Sequence, residues 1–412
     1  MDVALTIAYR FALSRRRSMA MSLFGVVLGV GFYILTQAQT GGYQSFFVET
    51  ILGTNGAIQV TDRFQDTLEP MELGVDGKLL RVRQRQGKQY EEGVAYPGLL
   101  MDALSEFEAI LGQSEVLESQ IRVSSGFRRQ IAALYGIRIE DHRLVSSIES
   151  QVVLGDSVSF EHDTLSVMIS PRMAESLGVR LGEKITLESS DQVRSYRIAA
   201  LVESGVSAID KVRIYIDIGE ARSLLGKPFG ESTIQLSIND PIDAPWIAAQ
   251  IESTLGHAAA SWQEREQVWL GVFNALSVSA GISMSALIVL AGLGIYNSLS
   301  MQVVEKQREV AILRAMGYHR ADITRVFLYQ GLMVAVVGIA GGWIFGAATT
   351  WLVTQIPLRI RGIFSSDHFV VSWDSVDYLV GALIALIIAM LGSILPALRG
   401  SRIEPATVIR GN

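Results

Sequence analysis

Three Gly-Lys pairs, Gly77-Lys78, Gly87-Lys88 and Gly226-Lys227, are where this 412-residue chain could cradle a phosphate. A phosphate loop needs G-x-x-x-x-G-K-[ST], in which backbone N–H groups and the lysine meet the phosphate oxygens. All three pairs lack the upstream glycine at that spacing and the hydroxyl that follows. Five histidines, His142, His162, His257, His319 and His368, stand singly, and neither H-E-x-x-H nor G-x-S-x-G occurs. The chain has no cysteine, which excludes a thiol nucleophile, a disulfide framework and Cys-ligated zinc or iron–sulfur sites. Carboxylates sit close together in Glu91–Tyr96 and Ser261–Glu266, where a solvated polar face explains them. Those of Arg63–Gly77 miss the D-x-[DN]-x-[DN]-G spacing of a calcium loop. The sequence therefore assigns no catalytic residue, no metal site and no cofactor to this chain.

What the chain has instead is apolar length. Hydrophobic residues make up 49% and charged residues 18%, with mean hydropathy +0.32, against about 25% charged in soluble domains. Net charge is −6, which gives nucleic-acid binding no electrostatic support. A membrane span takes about 20 mostly apolar residues. Four runs qualify, all without charge: those between Arg17 and Glu49 and between Glu266 and Glu305, then Val326–Leu358 and Tyr378–Leu398. The first follows Arg15-Arg16-Arg17 like the start of a signal peptide. It outruns a 7–15-residue signal core, however, and "TQAQTGG" is a poor cleavage site, so a retained anchor is expected.

Lys and Arg mark the cytoplasmic loops. They crowd at Arg10 and Arg15–Arg17, at Lys306, Arg308, Arg314, Arg320 and Arg325, and at Arg399, Arg402 and Arg410. The loop between the third and fourth spans has Arg359 and Arg361 against Asp367, Asp374 and Asp377. Both termini and the middle loop are thus expected in the cytoplasm, with Thr40–Val268, of net charge −12, outside. The expected layout is a cytoplasmic N-terminus (1–17), a first span (18–39), an extracytoplasmic domain (40–268), a second span (269–302), a cytoplasmic loop (303–325), a third span (326–355), a short outer loop (356–376), a fourth span (377–398) and a cytoplasmic tail (399–412).

The fold class is therefore a membrane protein of four transmembrane helices, one and then three, with a large α+β domain between the first two. Inside that domain, Asn55–Asp62 alternates as a strand, and Lys78–Tyr96 reads as a hairpin turning at Gln86-Gly87. Tyr96–Gln113 has apolar residues at helical spacing. Strand-then-helix patterns follow at Asp163–Val179, Lys211–Gly226 and Ser232–Gly256, with a hairpin at Gly182–Ser204. A subdomain of about Thr67–Arg143, inserted into a strand-rich one, is expected.

The four uncharged runs lack Asp, Glu, Lys, Arg and His, so nothing in them marks an ion or proton path. Their polar residues, Asn274, Asn297 and Gln330, suit helix packing. Gly25 and Gly29, and Gly338, Gly342 and Gly346, recur every fourth residue and allow close helix approach.

Between the second and third spans, "VVEKQREVAILRAMGYHRADITRVFLYQGL" (Val303–Leu332) leaves the bilayer, forms a short charged helix with an apolar face, and returns. Gly317 is placed to stop that helix. On spacing alone two readings stay open: a membrane-surface amphipathic anchor, or a helix that docks in the groove of a cytoplasmic partner.

The stretch resembles the signature of the FtsX/MacB-type ABC-transporter permeases, through Glu305, Lys306, Arg308 to Gly317, Ile323, Phe327, Gln330 and Gly331. Tyr318-His319 departs from the family's Ala-Ser. "PALRGSRIEPATVIRGN" resembles the family ending through Pro396, Arg399, Ser401, Pro405, Ile409 and Arg410. Within the family, "ALYGIRIEDHRLVSSI", "MAESLGVRLGEKITL" and "SWQEREQVWL" are similar to the lipoprotein-releasing, Lol-type permeases, although Arg138 stands near a usual proline. One Lol subunit type carries a long arm that captures the periplasmic carrier. Here the matching hairpin turns over Ser189–Gln192, so this chain is expected to lack that arm.

The resemblance implies a non-enzymatic subunit of the bacterial inner membrane. Its partners would be a cytoplasmic ATPase, in two copies, that holds ATP and Mg, a second permease of the same or a related chain, and a lipoprotein or other extracytoplasmic cargo. It implies that Val310, Leu313 and Met316 fill a groove of the ATPase, with Glu305, Arg308, Glu309 and Arg314 as the polar rim and Gly317 setting the elbow angle. An efflux permease with an adaptor and outer-membrane duct, and a signalling permease activating an extracytoplasmic partner, are the family alternatives.

Overall fold

The computed structural model describes residues 3–14, 16–63, 68–75, 78–85, 93–189, 192–227, 232–356 and 368–403. In chain order the elements are α1 (Val3–Ser14), α2 (Arg16–Asn55), β1 (Ile58–Arg63), β2 (Leu68–Val75), β3 (Lys78–Arg85), α3 (Pro97–Leu104), β4 (Ile110–Ser125), β5 (Arg128–Ile137), α4 (Ile139–Val145), β6 (Val152–Gly155), α5 (Ser157–His162) and β7 (Ser166–Ile169). Then come α6 (Pro171–Leu177), β8 (Lys184–Glu188), β9 (Val193–Val202), α7 (Ser207–Asp210), β10 (Arg213–Asp217), α8 (Ile218–Leu225), β11 (Ser232–Ile238), α9 (Ala244–Leu255), β12 (His257–Ser261), α10 (Trp262–Arg265), α11 (Gln267–Glu305), α12 (Gln307–Ala315), α13 (Arg320–Thr354) and α14 (Ser375–Ser401). Two compact units share these elements. Among the described residues, one draws on 3–45, 271–356 and 368–403, the other on Phe46–Leu270.

The first unit is helical. α2, α11, α13 and α14 are each long and apolar enough to cross a membrane. Even the shortest, α14 with 27 residues, reaches about 40 Å at 1.5 Å per residue. Its core joins Val30, Ile34, Ile288, Ile295, Ala335 and Ala389 from all four helices. This is the expected fold class, with the α+β unit placed in the chain between the first and second of these helices. The helices are longer than the expected spans: α2 continues to Asn55, and α13 begins at Arg320.

The second unit is organised by a ten-stranded sheet, β12-β1-β11-β4-β5-β10-β7-β9-β6, with β8 paired to both β4 and β9. The double role of β8 closes a ring. β4, β5, β10, β7, β9 and β8 pair in turn, and Arg122, Val123 and Ser124 of β4 stand opposite Glu188, Leu187 and Thr186 of β8. Closure leaves those strands no free edge. The apolar residues of the ring, among them Val123, Leu134, Ile169, Leu187, Tyr196 and Ile214, form one buried cluster with Met173 of α6 and Leu224 of α8. A second cluster packs Ile247 and Ile251 of α9 and Leu104 of α3 against Ile58, Ile234 and Leu236.

Local chemistry sets the helix limits. The Ser170 hydroxyl accepts from Met173 N at 3.0 Å, Pro171 opens α6, and Gly178 at φ +69° closes it. The Asp217 carboxylate accepts from Gly219 N and Glu220 N, and Gly226 at φ +66° ends α8. These are the residue types that helix ends favour.

Two expectations are corrected. The helix read over Tyr96–Gln113 stops at Leu104, and Ile110 onward is β4. Pairing with β11 along Ile110–Leu117 wins over an apolar spacing that suits either state. Thr67–Arg143 is not an inserted subdomain, because β4 and β5 stand in the middle of the large sheet. β3 is the return strand of β2, with Val75 opposite Lys78, and the hairpin expected to turn at Gln86-Gly87 falls on residues 86–92, outside the described residues.

Candidate functional site

Where α11 ends at Glu305 the chain bends at Lys306 and continues as α12. The end of α12 is closed twice: Gly317 N donates to Arg314 O at 3.1 Å, and Tyr318 N to Leu313 O at 3.2 Å. Gly317 holds φ +100°. This paired bonding with a left-handed glycine is the Schellman stop, and Leu313 and Tyr318 pack in the same cluster, as that motif favours. α13 then starts, with His319 N donating to the Asp322 carboxylate at 3.0 Å. Asp322 thus caps the start of α13, where His319 stands in place of the family's serine.

The two faces of α12 differ. Val310 is 1% exposed and packs with Ala4, Ala8, Phe11, Val303, Ile323 and Phe327, with Leu313 half-buried at the edge. Met316 is 73% exposed and Ile312 47%. Val310, expected to be presented to a partner, is used within the chain, while Ile312, outside the expected set, joins Met316 in the open. Glu305, Arg308 and Glu309 are exposed. Arg314 is half-buried, and its Nε lacks a partner among the described residues. Lys306 bonds Glu309 and lies 5.4 Å from the Phe11 ring centroid, a cation–π distance.

α1, whose helical state the sequence reading passed over, is the bed of this elbow. Ala4, Ala8 and Phe11, at helical spacing, are its buried face; that spacing was the available signal. Two buried amides hold it. Gln302 Nε2 of α11 donates to Phe11 O, and Gln330 Nε2 of α13 to Ala8 O, each at 3.3 Å. Phe11 O lies in the last turn of α1, where carbonyls have no partner within the helix. Replacing Gln330 by Leu removes one such bond, worth about 1 kcal/mol. Amide exchange in α1 is expected to quicken about fivefold with α13 unchanged. Unchanged exchange in α1 would mean the amide does not hold it.

The spaced glycines lie at two seams. A Cβ on Gly25 or Gly29 would come 3.3 Å from Ala291 Cβ or 3.1 Å from Ile288 Cγ1, on α11. A Cβ on Gly338, Gly342 or Gly346 would meet α2: Val26 Cγ1 at 2.6 Å, Val30 Cβ at 2.7 Å and Ile34 Cβ at 3.1 Å. In α14, Pro396 is buried and Arg399 donates to Tyr296 Oη at 2.9 Å. Among the described residues no group of three or more His, Asp and Glu gathers as for a metal ion.

Residues 19–254 match the MacB-like periplasmic core domain family, and residues 281–405 the FtsX-like permease C-terminal family. The lipoprotein-releasing system transmembrane protein LolC of Xylella fastidiosa is 22% identical, over 99% of this chain and 98% of its own length. LolE of the same system in Haemophilus influenzae is 23% identical, over 74% of this chain and 79% of its own. Among solved structures, the periplasmic region of MacB from Actinobacillus actinomycetemcomitans aligns with 54% of this chain and 96% of its own, at 13% identity and TM-score 0.34.

Proposed function

This chain belongs to the ABC-transporter permeases that join a MacB-like periplasmic core domain to an FtsX-like C-terminal region, and on that premise we propose that it is a mechanotransmission subunit. It is a multi-pass inner-membrane protein working with an ATPase subunit. In this reading a separate cytoplasmic ATPase closes on ATP and Mg, which it alone holds. α12 is seated in a groove of that ATPase by Ile312 and Met316, with Arg308 and Glu309 at the rim. The closing stroke turns the elbow, the helices shift, and the extracytoplasmic domain moves around its cargo. Two permeases, identical or related, face each other, and both termini are cytoplasmic.

The observation that carries this reading is the asymmetry of α12. One face is locked into the chain through Val310 and the other shows two large apolar side chains beside charge. A membrane anchor would not need the locked face, whereas a lever does. Lipoprotein release is the proposed task, supported by full-length likeness to LolC. The β8–β9 connection closes within four residues, Ser189 N donating to Gln192 O at 2.8 Å, which fits a subunit without a carrier-capturing arm.

The chain has no cysteine, so Met316→Cys introduces a sole thiol. A membrane-impermeant maleimide is expected to label it in inverted vesicles and not in right-side-out ones, at least fivefold more slowly once the ATPase is bound. Labelling from the outer side would overturn the orientation. Equal labelling with and without the ATPase would overturn the docking.

A further inference from the structure

The α+β unit contains a cleft of about 350 Å³ that plays no part in the elbow. Phe47 and Ile51, from the last turns of α2, and Trp269, from the first turn of α11, line it with Val206. Arg213, at the start of β10, and Lys211 bring positive charge to the same cleft.

Arg213 is 8% exposed, yet it forms no ion pair with a carboxylate among the described residues. Its guanidinium lies over the Tyr135 ring, 4.0 Å from the centroid. Its Nη2 donates to Tyr135 Oη at 3.1 Å and its Nη1 to Tyr215 Oη at 3.4 Å. Both acceptors are phenols. Burial pushes the Tyr135 hydroxyl up to about 12, against the pull of Arg213, so it is no counter-ion. Nearby His142 is buried and pushed down to about 3, burial first and Arg213 second. It stays neutral and bonds Ser114 Oγ at 3.2 Å. Among the lining residues the carboxyl is that of Glu266, which burial pushes up and Arg265 opposes. Glu118, bonded to the Tyr135 hydroxyl, is a further carboxylate that acts on Arg213 from outside the lining, without an ion pair. A buried cation whose direct hydrogen-bond partners are neutral hydroxyls still favours an anion in the cleft.

The remaining walls say what should carry that anion. Phe47 lies at the end of the uncharged stretch between Arg17 and Glu49, Ile51 just past it, and Trp269 at the start of the second span. Phe47 and Trp269 rings stand 5.7 Å apart. Aromatic side chains at span ends favour the headgroup level of a bilayer.

We propose that this cleft binds the phosphodiester head of an anionic membrane lipid, with Arg213 and Lys211 at the phosphate and Phe47, Ile51 and Trp269 along the glycerol and first methylenes. The site does not depend on ATPase coupling, and it would tie this end of the domain to the lipid surface as the helices move.

The test uses the full chain in detergent micelles, carrying Ala208→Cys at the exposed edge of the cleft as the sole thiol. The probes are dioctanoyl-phosphatidylglycerol, dioctanoyl-phosphatidylcholine and inorganic phosphate. Phosphatidylglycerol is expected to slow maleimide alkylation at least fivefold, and phosphate alone not at all. Adding Lys211→Glu, at an exposed position that leaves the fold alone, should raise the half-protecting lipid concentration at least tenfold. Arg213→Gln should abolish protection; if that variant does not fold, Lys211→Glu decides. Equal protection by phosphate would make the ligand a free anion, and equal protection by phosphatidylcholine would make it any lipid. Either result, or unaltered protection in Lys211→Glu, overturns the proposal.

Discussion

Ile312→Asp combined with Met316→Asp is expected to abolish co-purification of the ATPase, by at least a hundredfold, while the permease still inserts and keeps α1 in place. Burying a Met or Ile side chain contributes about 1.5–3 kcal/mol, and each 1.4 kcal/mol is a tenfold change in affinity. Losing both therefore costs two to four orders of magnitude before the new carboxylates are desolvated. Both positions are exposed, so the chain's own packing has little to lose. Leu313 is a poorer test, since it packs partly inside the chain. Val310→Asp is poorer still: it would put a carboxylate against Ala8, Phe11 and Phe327 and spoil the elbow whether or not a partner docks there. Detergent pull-down, with amide exchange of α1 as the control, reads the difference. ATPase recovery at the wild-type level would remove α12 as the docking element.

That contrast shows what periodicity can and cannot supply. Four uncharged runs announced four spans because nothing else explains such lengths without charge. The helices opened by Pro171 and closed by Gly178 or Gly226 were legible because caps are local chemistry. An amphipathic helix such as α12 shows in sequence that it has an apolar face, but not what covers that face. Val310 and Met316 look alike until α1 is placed against one of them. α1 itself was obscured by the adjoining Arg15–Arg17, which drew its reading toward topology. The closed ring of strands depends on β4 finding β8 far along the chain, Ser124 opposite Thr186 and Arg122 opposite Glu188, and no local pattern encodes that pairing. The β4 segment misled for a related reason: Leu104, Phe107 and Leu111 suit a helix until β11 pairs with the region.

The second large effect is expected at the α2–α13 seam. Gly338, Gly342 and Gly346 follow one another at four-residue intervals and face Val26, Val30 and Ile34, themselves four apart on α2. At Gly342 a Cβ would lie 2.7 Å from Val30 Cβ and 3.3 Å from Val27 O. The nearest atom is a side-chain branch point, which cannot swing away as the end of a flexible chain can. Gly342→Leu must therefore push the helices apart, and overpacking of this kind costs about 1–3 kcal/mol or more. In lipid no hydrophobic force between helices makes up the loss, because close contact is itself what holds them. At Gly346 the nearest atoms are 3.1–3.2 Å away, and one of them is the Ile34 Cδ1 tip, so Gly346→Ala should be borne with a small adjustment. Thermal scanning in detergent is expected to show the midpoint falling by about 10 °C in Gly342→Leu, and by about 2 °C or less in Gly346→Ala. Equal midpoints in the two variants would mean that the seam is loose. A loose seam would also undo the lever, because α13 begins three residues after Gly317 and α2 is the helix that carries on to Asn55. Only a tight seam passes a push at the elbow from one helix to the other.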